Sequence, residues 1–244
     1  PLICVCGMQT VPTLGTVATS ALVTILLLGN AMSVVLHRYF SHRAFSASRG
    51  CQLMMACFSC FALQGGVLWW ASKHARHHRY CDGPGDPHSW SRTSFWYAFV
   101  GWTLNVDELR VDQDFNQWKG FPELIVVDRC WLVVPVSLWV WLWGTVGADA
   151  TVMVAMVPMF LCRLITQLFN CEYHPPTSGT VAVCKATDTV RFLSECVGES
   201  HHADHHRVPS RARRPGWDVP YVTTIRPLER LGLIRCRHRQ IQPP

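Results

Sequence analysis

Formal charge is almost absent from the front of this chain. Residues 1–36 contain no Asp, Glu, Lys or Arg, and the first basic side chain is Arg38. A water-facing surface cannot be built from such a stretch, and it has no basic n-region or obvious cleavage site, so it reads as a span and not as a signal peptide. Charged residues make up only 16% of the 244 residues, against 49% hydrophobic and eleven Trp, a balance that points to a membrane protein. There is no low-complexity tract and no internal repeat beyond clusters of histidine. Twelve cysteines could suggest a disulfide framework, but they are scattered through apolar stretches, where a free Cys behaves as a small hydrophobe. The thiols are therefore expected to be reduced. Cys57-Phe-Ser-Cys60 has C-x-x-C spacing but no second pair to complete a zinc site.

Four apolar segments are present, at about 12–36, 50–72, 131–147 and 150–169. A helix needs roughly 20 residues to cross the hydrocarbon core. If 12–36 crosses once, a second crossing by 50–72 would put the histidines that follow each segment on opposite faces of the bilayer. The stretch 50–72 is therefore expected not to span, and Ser59, Gln64, Gly65 and Gly66 interrupt it in a way that suits a buried helix at the membrane surface. Segments 131–147 and 150–169, joined around Gly147-Ala148-Asp149, read as a hairpin that leaves and returns. Residues 103–130 read as a loop with short helices. The tail 207–244 carries nine Arg against Asp218 and Glu229, which places it in the cytosol by the positive-inside tendency. A basic tail could bind nucleic acid, but no recognition motif accompanies it, and a lipid headgroup surface is the better match in a membrane protein.

Against this sparse background the histidines stand out. His74, His77 and His78 lie at i, i+3 and i+4, so one helix face presents all three imidazoles to one point. The same spacing returns at His202, His205 and His206, and a further pair stands at His37 and His42. Eight of twelve histidines thus fall in three clusters beside apolar segments, and neutral imidazole is the commonest protein metal ligand. Asn170 and His174 form an i, i+4 pair at the returning end of the hairpin. Asp82, Asp86, Glu199 and Asp204 are candidates to orient the imidazoles.

The stretches His37-Arg-Tyr-Phe-Ser-His42-Arg-Ala-Phe, Leu63-Gln-Gly-Gly-Val-Leu-Trp-Trp-Ala, His74-x-x-His77-His78-Arg-Tyr with Asp86-Pro-His-Ser, and Gly198-Glu199-x-x-His202-x-x-His205-His206 together resemble the membrane acyl-CoA desaturases of the stearoyl-CoA, Δ9 type. The resemblance runs from about residue 20 to 240. It implies an all-α integral membrane protein, one domain over 1–244, with transmembrane helices carrying a cytosolic helical cap around a di-iron centre. By position the metal ligands become His37, His42, His74, His77, His78, His174, His202, His205 and His206, with Asn170 bridged through water. Gln64 and Trp70 fall where the family lines the bend of its acyl tunnel. His88 falls beside the ligands and not among them, and His238 is expected to be solvated.

The activity implied is O₂-dependent insertion of a cis double bond, at Δ9, into a saturated acyl chain with acyl-CoA as preferred substrate. Taking hydrogen from an unactivated methylene needs a strong oxidant, which iron can make from O₂ and redox-inert zinc cannot. Two alternatives stay open: a related di-iron hydroxylase, and a non-catalytic lipid-binding fragment. The chain has no His-Pro-Gly-Gly haem motif, so a separate electron donor is expected, cytochrome b5 or a ferredoxin with its reductase. The expected location is the endoplasmic reticulum in a eukaryote or the cytoplasmic membrane in a bacterium, with the active site facing the cytosol.

Several positions depart from the family pattern. One span precedes the first histidine pair where the family has two, as expected of an N-terminally shortened member. His201-His202-Ala203-Asp204 replaces the usual Trp-His-Asn, and Pro175–Gly179 replaces a Gly-x-Arg stretch. Arg191 and Glu195 stand where the family helix is mostly apolar. The basic pair that meets CoA phosphates is missing after Trp102, which leaves Lys73, Arg79 and the tail as substitutes or else points to an acyl chain carried on a membrane lipid.

Overall fold

The computed structural model describes residues 11–176 and 184–237, and the fold is mostly helical. Helix α1, Leu14–Ser41, starts where Thr13 accepts a hydrogen bond from the Thr16 amide at 3.2 Å. Its first half exposes Leu14, Val17, Leu22 and Leu26, an apolar face suited to lipid. Its second half, wound as a wide π-helix over Leu27–Ser41, is buried in protein. The helix therefore does not stop where its apolar run stops. It continues as one piece through His37, so that the lipid-facing element itself delivers the first ligand candidate.

The apolar stretch 50–72 is not a single helix. Ser48 caps α2, Arg49–Ser59, and a tighter turn, Cys60–Ala62, leads to Leu63 and Gly65 at positive φ. Helix α3, Val67–Tyr80, then departs at 80°. Its first amides, Leu68 N and Trp69 N, donate to Asp128 Oδ1 at 2.7 and 2.9 Å, which satisfies an otherwise orphaned N-terminus. Gly66 has to be glycine here, because a Cβ would run into the Asp128 carboxylate. Asp128 lies in α5, Pro122–Arg129, after the short α4, Phe95–Phe99.

Helices α6, Val133–Val146, and α7, Ala148–Tyr173, turn at Gly147, whose φ of 85° a side chain would disfavour. Among the described residues α1 and α7 are each long and apolar enough to cross a membrane alone. The other two candidates are bent pairs, α2 with α3 and α5 with α6, the second bent by 56°. Helix α6 exposes Val133, Val136, Val140, Trp141, Trp143 and Val146, again a surface for lipid and not water.

The C-terminal part wraps back on α1. Helices α8, Phe192–Val197, and α9, His202–Arg207, lead to a last helix over 221–230. One feature departs from an all-α fold, a two-stranded antiparallel ribbon of β1, Phe45–Ala47, and β2, Ile234–Cys236, with Phe45 opposite Cys236. The expectation that every thiol is free also fails, since Cys81 and Cys184 form a disulfide. Sequence gave no sign of it, because the partners are 103 residues apart and meet only when the elements around the histidines close.

The strongest tie between α1 and the tail is ionic. Arg38, fully buried, donates to both oxygens of Asp218 at 2.7 and 2.9 Å and to the carbonyls of Ala212 and Gly198 at 2.8 Å each. Removing one partner of such a pair strands a charge in low dielectric. Asp218→Ala is expected to lower unfolding free energy by about 3–5 kcal/mol, whereas Arg49→Ala, which breaks the exposed pair with Glu123 at 2.7 Å, should change it little, since solvent screens the pair. Chemical unfolding in detergent measures both, and equal small losses would show that the buried pair is not the tie.

Candidate metal centre

Four elements bring nine imidazoles together. α1 and the turn after it supply His37 and His42, α3 supplies His74, His77 and His78, the end of α7 supplies His174, and α9 supplies His202, His205 and His206. The rings fall into two groups. His37, His42, His74, His78 and His205 form one. Its Nε2···Nε2 separations are 2.8 Å for His37–His205, 2.9 Å for His42–His74, 3.1 Å for His74–His78 and 2.9 Å for His78–His205. His77, His174 and His206 lie together in the second group. His202 joins it, 3.0 Å from His174 and 3.1 Å from His206, and His77 stands 3.2 Å from His174. Two imidazoles bound to one metal at ~2.1 Å and at right angles would place their nitrogens ~3.0 Å apart. The observed spacing fits two metal positions, one offered five imidazoles and the other four.

The tautomers strengthen that fit. His37 Nδ1 is 2.9 Å from Glu199, His77 Nδ1 is 2.9 Å from Asp86, and His174 Nδ1 is 3.3 Å from Asp82. Each carboxylate accepts the Nδ1 proton, so Nε2 is left as a bare lone pair pointing inward. His77 and His174 then face each other lone pair to lone pair at 3.2 Å, an arrangement that repels unless a cation lies between them. Ser33 donates to the same Glu199 oxygen at 2.5 Å and fixes its position. His88 stacks on His77 with ring centres 4.4 Å apart, and Trp70 stacks on His74 at 4.9 Å. Tyr173 covers His202 at 4.7 Å, a contact no sequence spacing announced.

Burial decides the charge of these groups. It pushes His42, His202 and His205 well below the ordinary 6.5, and neighbouring imidazoles add to the effect. His88 falls to about 3 for the same reasons, burial first and then His77. Glu199 goes the other way from what burial favours, since His37 and the Arg214 and Arg38 charges hold it at about 2. Near neutral pH the site thus holds neutral imidazoles backed by ionised carboxylates, the protonation state a metal requires.

Other expected residues are placed differently. Asp204 accepts from Arg211 at 2.5 Å and Arg207 at 3.2 Å and orients no imidazole among the described residues. Lys73 is no free phosphate donor, because Glu108 at 2.6 Å and Asp112 at 3.0 Å neutralise it, and they bind Arg76 as well. His238 lies outside the described residues. Asn170 lines a cavity of about 20 Å³ together with Trp70, His37, His74 and Glu199, room for about one water. Gln64 lines a separate cavity of about 340 Å³ with Trp69, Arg129, Trp131 and Arg163. The Gln64 amide nitrogen reaches Cys162 O at 3.4 Å, and Gln167 joins it to Trp102. Sequence reasoning also passed over the disulfide beside His174 and the pair of Arg38 with Asp218. Asp218, the lone acid in the Arg-rich run 207–226, was the available signal.

The family model described as fatty acid desaturase matches residues 14–230, and it covers every histidine of both groups. The chain belongs to the fatty acid desaturase family. A probable acyl-CoA desaturase of Schizosaccharomyces pombe is 33% identical over 207 residues, 84% of this chain and 40% of the relative. A Δ9 fatty-acid desaturase of Caenorhabditis elegans is 26% identical over 222 residues, 82% of this chain and 64% of the relative. A hex-5-enoyl-[acyl-carrier protein] acetylenase of Moorena producens is 44% identical over 85 residues, 30% of this chain and 26% of the relative. The chain thus spans from about a quarter to under two thirds of the length of these relatives.

Two outcomes test the centre. His77→Ala and His205→Ala should each lower the metal content of the purified protein, while Arg49→Ala should retain it; equal metal in all three by elemental analysis would remove the assignment. The pH dependence follows from the lowered imidazole values. An unfolded chain takes up protons at about 6.5 and the folded site does not, so stability is present above 6.5 and falls as pH drops below it. Melting of the metal-free protein should shift down steeply between pH 6.5 and 5, and a flat profile there would contradict buried neutral imidazoles.

Proposed function

We propose that this desaturase-family chain inserts a cis double bond into a saturated fatty acyl chain, with Δ9 as the favoured position. The reading rests on one observation above all, the convergence of nine imidazoles in a group of five and a group of four beside an apolar protein interior. Two iron ions suit that donor set, and they would supply the redox chemistry that lets O₂ oxidise an unactivated C–H bond. The balanced change is CH₂–CH₂ plus O₂, two electrons and two protons, giving CH=CH and two waters.

The protein's own residues do the positioning. Glu199, Asp86 and Asp82 keep the Nδ1 protons, so the inward nitrogens stay free to bind metal. Asn170 is proposed to reach the centre through a water in the small cavity it lines. Trp70 and Gln64 are proposed to border the acyl chain, Trp70 against His74 and Gln64 within the bend between α2 and α3. An apolar wall there recognises chain length and shape, and it also keeps bulk water from the oxidising site.

The carrier of the acyl group is open to argument from charge. With Lys73 and Arg76 bound to Glu108 and Asp112, the second histidine cluster offers no fixed phosphate clamp. Arg79 and the Arg-rich tail remain the cationic groups for a CoA headgroup, and family kinship favours acyl-CoA. The relative from Moorena producens is named for an acyl-carrier-protein substrate, so a protein-borne acyl group belongs among the substrates to test. Excess Arg in 207–237 favours a cytosolic face for the site. It also favours an acidic electron donor such as cytochrome b5 or a ferredoxin.

Expression in a desaturase-deficient host, with fatty-acid profiling, tests the reaction. The expected product is an alkene that gains no oxygen; a hydroxylated chain would make the protein a hydroxylase, and no product despite bound iron would make it a lipid-binding relative. Asp86→Asn should lower product by roughly 10–100-fold, because a ligand without its orienting carboxylate binds metal less well. Purified protein given stearoyl-CoA, stearoyl-acyl-carrier protein or stearoyl phosphatidylcholine then separates the carriers.

A further inference from the structure

Two sulfurs stand behind the group of four imidazoles. Cys81, the residue directly after α3, is buried, and Cys184, bonded to it, is exposed. Cys81 Sγ lies 3.7 Å from His174 Nδ1, and Cys184 Sγ lies 3.4 Å from His206 Nδ1. His206 faces His202 through Nε2, so as a metal ligand it carries its proton on Nδ1 and donates it to the Cys184 sulfur. Carboxylates accept the corresponding proton of His37, His77 and His174, and none does so for His206 among the described residues. The disulfide therefore backs this imidazole where a carboxylate backs the others.

The same bond fastens a strap. Residues 184–189 touch the ends of three helices that carry histidines: Lys185 N donates to Asp82 Oδ2 at 2.9 Å, Thr187 N to Tyr173 O at 2.9 Å, and Ala203 N donates to Asp188 Oδ1 at 2.7 Å. Hydrogen bonds hold the later part of the strap, and the disulfide holds its first residue. Exposure makes the two sulfurs unequal. A thiolate from outside reaches Cys184 Sγ and not the buried Cys81, and accessible disulfides are the ones that exchange.

We infer that Cys81–Cys184 is a thiol–disulfide exchange site, open to small thiols or a protein dithiol, that governs how firmly the four-imidazole group holds its metal. An external thiolate attacks Cys184 Sγ and breaks the S–S bond, and Cys81 leaves and takes up a proton. A second thiol resolves the mixed disulfide, so the protein gains two thiols and the reductant becomes its own disulfide; no electron comes from the metal. The Cys184 sulfur is then free to leave His206. Loss of such an outer partner weakens metal binding roughly 10–100-fold. Neither sulfur hydrogen-bonds to the five-imidazole group, which keeps its metal. The cytosolic face proposed for the site is thiol-rich, and disulfides met there are switched and not permanent.

This inference rests on the metal centre and not on the reaction, so metal retention is the readout. The full chain, purified with its metal under air, is alkylated and digested without reduction, and peptides of Cys81 and Cys184 should be linked. The metal-loaded protein is then challenged with EDTA, with and without tris(2-carboxyethyl)phosphine, which reduces the bond and becomes the phosphine oxide with an oxygen from water. Elemental analysis over time should show one of the two metals leaving roughly 10–100-fold faster with the phosphine. Cys184→Ser should lose that metal fast in both conditions, and Cys130→Ser, which alters an exposed free thiol, should match the unaltered chain. Unlinked peptides, or equal metal loss once Cys81 and Cys184 are both shown to be reduced, would overturn the switch while leaving the metal centre intact. A chain that binds no metal at the outset would remove the centre and the switch together.

Discussion

Bare nitrogen lone pairs do not face one another at 3.2 Å in a dry interior unless something positive holds them there. That constraint organises this protein. The carboxylates behind His37, His77 and His174 set which nitrogen carries the proton, and the helices then have to bring the other nitrogen to a common point. Apolar packing alone would not choose the arrangement, because it rewards covering these rings and is indifferent to where their lone pairs aim.

The architecture meets that demand by joining membrane and site in single elements. Helix α1 exposes apolar side chains over its first half and carries His37 near its other end. Helix α7 likewise runs from the turn at Gly147 to Tyr173, with His174 directly after it. Two helices that face lipid therefore also hold the centre, and the bend between α2 and α3 brings the third contribution against them. Family membership and this geometry both fit a metal held by histidines.

The histidine clusters were legible in the sequence because i, i+3, i+4 spacing determines a helix face before any tertiary contact forms. Asp82, Asp86 and Glu199 were legible as candidates for the same reason of proximity to those clusters. What sequence left open depends on partners far along the chain. Lys73 looked like a free cation until Glu108 and Asp112 came against it, and Asp204 looked like an orienting carboxylate until Arg211 reached it. The bend at Leu63–Gly66 was visible only as an interruption by polar residues and glycine, and its angle follows from Asp128, whose capping contact is tertiary.

The pairing of β1 with β2 has a temporal meaning as well as a spatial one. Phe45, just past the first histidine pair, takes Cys236 as its partner, and Arg237 N donates to Ala44 O at 3.0 Å. A ribosome delivers the early residues long before the late ones. While α1 is already made, His37 has no His205 opposite it, Arg38 has no Asp218, and the ribbon has one strand. The centre can close only after residues 199–236 have emerged, so metal capture belongs to the end of synthesis, and until then a newly made chain must keep a buried-type arginine and a row of imidazoles in company with water.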